Sequence, residues 1–359
     1  MIQFGDCYRG SRVLITGHTG FKGSWLAYWL KELGADVSGI SLDPDTQPNH
    51  WDQLNLAIGD YRLDIRNADK INAAVETIRP EFVFHLAAQS LVRRSYRDPI
   101  DNWSSNVMGT AHILEACRHV DSVRAIVAVT TDKIYENKET KQGYRESDPL
   151  GGHDPYSASK AACELLIDSY RKAYFSDEDS PLLASARAGN VIGGGDWSED
   201  RLIPDLVRSV AESKLLLIRS PHATRPWQHV LDCLAGYLLL GQRLLEERRE
   251  FAEAWNFGPR SEANRTVAEI LDSLQAHWPE LKWERADGRQ PHEATLLNLN
   301  NQKANEKLDW RPIWSLDQAL QATADWYRIF HEQSVTSTGK DLATYVSDAH
   351  SAGASWVRE

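Results

Sequence analysis

Thr16-Gly17-His18-Thr19-Gly20-Phe21-Lys22-Gly23-Ser24 follows directly on a short apolar run, Val13 to Thr16, and leads into a helical pattern from Gly23 to Leu33 that Gly34 closes. That order of strand, glycine turn and helix decides the fold. In the G-x-x-G-x-x-G spacing, Gly17 permits the tight turn, Gly20 lets the backbone approach a pyrophosphate, and Gly23 lets helix and sheet pack closely. The helix N-terminus then faces phosphate charge. A glycine triplet alone is weak evidence, and its context between a strand and an amphipathic helix gives it meaning.

Outward from this turn, short β-branched runs recur between helical patterns: Val37 to Ser41, Phe82 to Ala87, Ala125 to Val129 and Leu182 to Ala186. The segment Ile71 to Ile78 ends at Pro80, just before one of them. This predicts an α/β chain with a doubly wound parallel (Rossmann) sheet, covered on both faces and gathering ligands beyond the C-terminal strand ends. After about Asn190 the pattern changes to Gly193-Gly194-Gly195-Asp196-Trp197 and then to helices separated by charged or Trp-containing loops, a smaller, mostly C-terminal substrate-binding lobe. Ala254 to Phe257 reads as a strand returning to the sheet, so the lobes interleave. The expected division is a dinucleotide-binding domain over 1–190 with a returning strand near 254–258, a substrate-binding lobe over 191–330, and a tail over 331–359. From about Ser334 that tail is polar and Ser/Thr-rich, and is expected to pack weakly or not at all.

With 359 residues, 42% of them hydrophobic, the chain can bury a full core. A net charge of −11 argues against a general nucleic-acid binder, which needs a basic surface. Met1 to Gly10 holds no apolar signal region, and no apolar run approaches the roughly 18 residues of a membrane span, so a cytoplasmic protein without membrane partners is expected. Cys7, Cys117, Cys163 and Cys233 lie far apart, which predicts reduced thiols and offers no metal spacing.

The second strand is read as ending near Asp43, twenty residues beyond Gly23, where a carboxylate accepts hydrogen bonds from a ribose diol and repels a 2′-phosphate. NAD is therefore favoured over NADP. Asp43-Pro44 also fits an ordinary turn. Asp64-Ile65, at the next strand end, is placed to border the adenine.

Pro155-Tyr156-Ser157-Ala158-Ser159-Lys160 opens a helix, and residues four apart share a face. An ammonium beside a phenol stabilises phenolate, pulling it from about 10 toward working pH at about 1.4 kcal/mol per unit. Tyr156 can then take a hydroxyl proton as hydride leaves. By chance the same spacing is a solvated helix face. Its position after the strand ending Val129-Thr130-Thr131-Asp132-Lys133-Ile134-Tyr135 raises its value, because that strand end gathers hydroxyl and charged groups where a substrate would sit. Thr131 can hold the hydroxyl that Tyr156 deprotonates. Asp132 is the informative residue, since oxidoreduction alone needs no further acid but expelling hydroxide as water does.

On these residues, together with His85-Leu86-Ala87-Ala88-Gln89-Ser90, Asn106-Val107-Met108-Gly109-Thr110 and Arg187-Ala188-Gly189-Asn190-Val191, the sequence resembles the extended short-chain dehydrogenase/reductase family from Gly10 to Tyr327. Within it the chain looks like the CDP-glucose 4,6-dehydratase branch. The resemblance implies a lyase of deoxysugar biosynthesis for surface lipopolysaccharide. In its cycle NAD oxidises the hexose at C4, water leaves across C5 and C6, and hydride returns to C6. It implies Tyr156 as base, Lys160 as its tuner and ribose ligand, Thr131 as orienter and Asp132 as acid. Relatives acting on dTDP sugars carry an acidic C5 base where this chain has Lys133, which can serve only if burial or neighbouring cations lower its pKa; otherwise another group or a water does this step. Implied cofactor contacts are Gly17, Thr19, Gly20, Phe21, Lys22, Gly23, Asp43, Asp64, Ile65, Leu86, Ala87, Ala88, Asn106, Thr130, Tyr156 and Lys160. Implied substrate contacts are Gln89, Ser90, Arg94, Asn190, Trp197, Arg201, Arg225, Arg289 and His292, with Arg225 and Arg289 as guanidinium forks for the diphosphate and Trp197 either stacked on a base or capping the core. Cytidine rests on the resemblance alone.

Helices near Val107 to Cys117 and Ser157 to Tyr170 carry apolar residues on more than one face, and family members often pair through them, so a homodimer is expected. Two rivals remain: a nucleotide-sugar epimerase, which has no need of Asp132, and a non-catalytic NAD-binding sensor.

Overall fold

Val13, Ile15, Phe82, Phe84, Ala125 and Val127 pack into one apolar cluster, while Leu14, Val83, Ile126 and Leu183 pack into another, as alternation along buried strands requires. In the computed structural model, which describes residues 1–140, 142–218, 220–286 and 297–359, these residues belong to one seven-stranded sheet. Its strands are β1 (Arg12–Thr16), β2 (Asp36–Ser41), β3 (Gly59–Arg62), β4 (Phe82–His85), β5 (Ala125–Val129), β6 (Leu182–Ala188) and β7 (Ala254–Phe257). All are parallel, in the order β7-β6-β5-β4-β1-β2-β3. The helices that matter below are α1 (Phe21–Glu32), α2 (Ala68–Ile78), α3 (Gly109–Arg118), α4 (Pro155–Ala173), α5 (Val230–Leu245), α6 (Leu316–Gln333) and α7 (Thr338–Ser351). The first cluster includes side chains of α1, α5, α6 and α7, the second those of α2, α3 and α4, so both faces of the sheet are covered. Each fully buried Leu, Ile, Val or Phe contributes about 1.5–3 kcal/mol.

The chain runs from β1 outward to β2 and β3, then crosses to β4 on the other side of β1. The crevice lies where that order reverses, beyond Thr16 and its register partner His85. A second region stands over this crevice. There Asn190–Ile192 pairs parallel with Thr224–His229, which pairs antiparallel with Asn264–Thr266. Trp227, Ile203 and Trp314 join the same apolar cluster as the sheet.

Some elements differ from the sequence expectation. The first helix begins at Phe21 rather than Gly23, β2 stops at Ser41 rather than near Asp43, and β4 stops at His85. The residues from Ser334 are not a weakly packed tail. Leu342, Tyr345, Val346 and Ala349 are buried, at the i, i+3, i+4, i+7 spacing of a helix face that the surrounding Ser, Thr and Asp dilute. Trp356 stacks on Phe4, ring centres 4.8 Å apart, and Val357–Arg358 pairs antiparallel with Ile2–Gln3.

Candidate active site

The turn after β1 touches the turn after β4. Gly17 has φ +80°, and a Cβ there would sit 2.8 Å from the Ala87 nitrogen. At Gly23 a Cβ would sit 2.0 Å from the Gly17 oxygen, so only glycine lets α1 start this close to the turn. At Gly20 such an atom would meet only the Gly17 oxygen, at 3.4 Å, which leaves the approach over the turn open. No side chain caps α1, and its first turn holds no acid, so its N–H groups and positive end remain available to an anion. These features fit a dinucleotide pyrophosphate. Thr19 Oγ1 ties the turn to the end of β2 through Ser41 Oγ, 2.7 Å, and Leu42 O, 3.0 Å. Leu86 and Ala87 follow β4 and bond back to Thr16 through their backbone nitrogens, and Ala88 lies half-buried beside them.

Tyr156 and Lys160 are both buried on one face of α4 and converge on the end of β5. Lys160 Nζ donates to Val129 O at 3.2 Å, and the Tyr156 hydroxyl is hydrogen-bonded to the Thr131 side chain. Burial pushes the Tyr156 phenol up to about 12, opposed by the Thr131 hydrogen bond and the nearby charge of Arg201. The expected downward pull from Lys160 is not what dominates, because that ammonium is turned toward a backbone carbonyl. Thr131 caps a short helical turn, Asp132–Ile134, and this turn buries the Asp132 carboxyl beside the tyrosine. Asp132 Oδ1 accepts from Thr131 Oγ1 at 3.0 Å and lies 3.4 Å from Lys133 Nζ. Lys133 is one-third exposed, and its ammonium is paired with the Asp132 carboxylate. A Cβ at Gly189 would lie 3.0 Å from Asp132 Oδ2 and 3.5 Å from Pro226, so the upper region closes directly over this acid.

Beneath the site lies a charged cluster. Glu164, one turn past Lys160, accepts from Thr130 Oγ1 at 2.5 Å, Ser185 Oγ at 2.9 Å and Arg187 Nη2 at 2.7 Å. Burial alone would raise its carboxyl, but Arg187 and the two hydroxyls outweigh it and hold it below the usual range. Arg187 also donates to Tyr135 Oη at 2.8 Å, and Tyr135 donates to Asn256 Oδ1 at 2.7 Å. The pair thus holds Thr130 and Tyr135 on either side of the Thr131–Asp132 turn. His85, pushed down to about 3 by burial and so neutral, bridges Thr16 Oγ1 at 2.7 Å and Thr110 Oγ1 at 2.9 Å.

Other residues singled out in the sequence hold varied positions. Asn106 spends its amide on Gln89 O, Asn102 and Ser159 and accepts from Gln89 N, pinning the loop after β4 to α4. Gln89 turns its side chain back on Leu91 and Asn102. Arg201 reaches Asp196 at 2.9 Å and Ser90 Oγ at 3.3 Å, close to Tyr156. Arg94 pairs with Asp45 at 3.5 Å on the surface, and Asp64 is forked by Arg66. Ile65 packs under Gly109. Asp43 is 88% exposed in its side chain, just beyond β2. Asn190 pairs with Trp227 in the upper sheet, and Arg225 donates to Thr224 O at 2.9 Å. Trp197 packs edge-on against Tyr327 and Phe330, the core-capping alternative. Phe21 is half-buried at the turn near Gly193. Arg289 and His292 lie outside the described residues. The sequence reading missed two parts. His18 fills the space under Gly39 and lies 3.0 Å from Asp60, and Glu164 continues the four-residue spacing of Tyr156 and Lys160.

The profile of the GDP-mannose 4,6 dehydratase family matches residues 14–323, which span the glycine turn, the tyrosine helix and the upper region. The chain belongs to this family. Within it, a CDP-glucose 4,6-dehydratase of Salmonella typhimurium is 44% identical over 349 residues, covering 95% of this chain and 97% of that protein. Among solved structures, the dTDP-glucose 4,6-dehydratase DesIV of Streptomyces venezuelae, solved with NAD, has a TM-score of 0.73 at 26% identity, covering 88% of this chain and 96% of that one. A UDP-glucose 4-epimerase of Thermus thermophilus in complex with NAD reaches 0.76 at 25% identity, covering 88% and 98%. The same fold therefore serves both dehydratases and epimerases, and the residues of the site must separate them.

Proposed function

We propose that this chain is an NAD-dependent CDP-glucose 4,6-dehydratase, a hydro-lyase forming CDP-4-keto-6-deoxyglucose. The observation that carries the reading is the buried Asp132 carboxyl beside Tyr156, a proton donor that epimerisation does not need. The Salmonella relative's name supports the cytidine sugar. Residues up to 190 serve the dinucleotide and 191–330 the substrate, with Asn190, Arg201 and Arg225 facing the nucleotide sugar. Asp43 favours NAD over its 2′-phosphorylated form, because the neighbouring Arg62 guanidinium, which would otherwise be free to receive that phosphate, is already engaged by Asp60 at 2.8 Å and Leu42 O at 3.1 Å.

Bound at the glycine turn, NAD supplies the hydride acceptor for C4 oxidation and the donor for C6 reduction. Tyr156 takes the proton of the 4-hydroxyl, which Thr131 orients. Lys160, held by Val129 O, offers its remaining N–H groups to the ribose and its charge to the phenolate. The 4-ketone acidifies the C5 proton, and Asp132 protonates the departing 6-hydroxyl so that it leaves as water. Lys133 orients Asp132, and a water or another group takes the C5 proton.

The protein is cytoplasmic and works as a homodimer. No helix among the described residues is long and apolar enough to cross a membrane. Leu165 on α4, 63% exposed, and Ile100, 76% exposed, with Trp103 and Met108 on the segment before α3, are exposed apolar side chains that a second copy can cover. Incubation with NAD and CDP-glucose should yield a 4-keto product lighter by one water in mass spectrometry. An isomer of unchanged mass would make the chain an epimerase instead.

A further inference from the structure

Lys22 stands in the glycine turn at the start of α1, yet its ammonium reaches across to α5, 3.5 Å from Tyr237 Oη and 5.8 Å from the centre of that ring. Among the described residues no carboxylate lies within 4.0 Å of it. Its neighbours on α5 do not compensate it, since burial raises both the Cys233 thiol and the Tyr237 phenol and keeps them neutral. Lys160, on the other face of the sheet, is buried, where Lys22 is half-buried, and it too lies beside no carboxylate within 4.0 Å among the described residues, donating instead to a backbone carbonyl. The two cations sense each other across the strand ends: burial lowers Lys160, and the charge of Lys22 adds to that lowering, opposed by Cys163 and Glu164. Two ammonium groups, neither within 4.0 Å of a carboxylate among the described residues, therefore share the C-terminal edge of the sheet on which Tyr156 sits.

Oxidised nicotinamide carries a positive charge that the reduced ring lacks. We infer that Lys22 biases the bound dinucleotide toward its reduced form, by placing unpaired positive charge at the sheet edge where like charges repel in a poorly solvated setting. The inference rests on the NAD reading above and deepens it. A cation in this place makes the oxidised cofactor a stronger oxidant for C4 and holds the hydride until C6 is ready to receive it.

The test is the dissociation constants of NAD+ and NADH for the wild type, Lys22→Met and Lys22→Arg, followed by titration calorimetry. Lys22→Met should lower the ratio of the NAD+ constant to the NADH constant about tenfold, equivalent to a potential about 30 mV lower for the bound two-electron couple. Lys22→Arg should keep the wild-type ratio. NADH binding by Lys22→Met reports that the variant is folded. Equal weakening of both forms would make Lys22 a phosphate ligand and overturn the inference, as would an unchanged ratio. A wild type that binds neither form would remove the NAD reading itself, and the inference with it.

Discussion

Arg187 and Lys160 are cations of nearly equal burial, 3% and 5% exposed, on adjacent elements under the same site, and their surroundings are opposite. Arg187 is met by a carboxylate, a phenol oxygen and a backbone carbonyl. Lys160 has one backbone carbonyl. Burying a charge is costly unless it is paired. The deeper layer satisfies that demand internally and so fixes the shape of the Thr131–Asp132 turn. The sheet edge above leaves it unmet, and a ligand completes it. Pairing within the protein thus marks the part that holds the geometry, and its absence marks the part kept for chemistry.

The sharpest test of the upper layer is Tyr156→Phe, expected to reduce dehydratase turnover about 10³-fold while cofactor binding persists. A loss under tenfold in steady-state assays would mean that the proton goes elsewhere. For the lower layer, Glu164→Ala strands Arg187 without its counter-charge and should cost about 3–5 kcal/mol in denaturant unfolding. Lys160→Met should do the reverse. Without ligand its stability should match the wild type or exceed it by about 1 kcal/mol, because an unpaired buried charge has gone, while dinucleotide binding collapses. If it destabilises as much as Glu164→Ala, the contrast between the layers is wrong.

The smallest effect concerns a buried acid outside both layers. Burial pushes the Asp232 carboxyl up to about 7, although Ile313 N and Tyr345 Oη donate to it at 2.6 and 2.8 Å. The native state then holds a proton that the unfolded chain releases from about pH 4 upward. Its contribution to stability is complete below that pH and is lost as pH rises through 7. Asp232→Asn should flatten the fall of melting temperature over this interval. An unaltered slope would rule Asp232 out as its source.

Much of the upper layer was legible because its chemistry is local. Glycine spacing, a tyrosine and lysine four apart, and Thr-Thr-Asp-Lys at a strand end each fit within a few residues. The lower layer was not, since Glu164, Arg187 and Tyr135 meet only when three elements pack. Residue type likewise did not say that Trp197 would lie on Tyr327, or that Asn106 would spend its whole amide on the protein. Strand β3, Gly-Asp-Tyr-Arg, carries no apolar run because it is an edge strand beside a single neighbour. The last helix did carry its period, at Leu342, Tyr345, Val346 and Ala349, but polar residues between them hid it.

That helix and the stack of Trp356 on Phe4 have a consequence for biosynthesis. The aromatic group formed by Phe4, Trp29, Tyr345 and Trp356 joins the segment before β1 to α1 and to the segment from α7 onward. Until the ribosome has added α7 and Trp356, one flank of the nascent nucleotide-binding sheet stays greasy and uncovered, and a chain stalled before Tyr345 would offer that flank to chaperones.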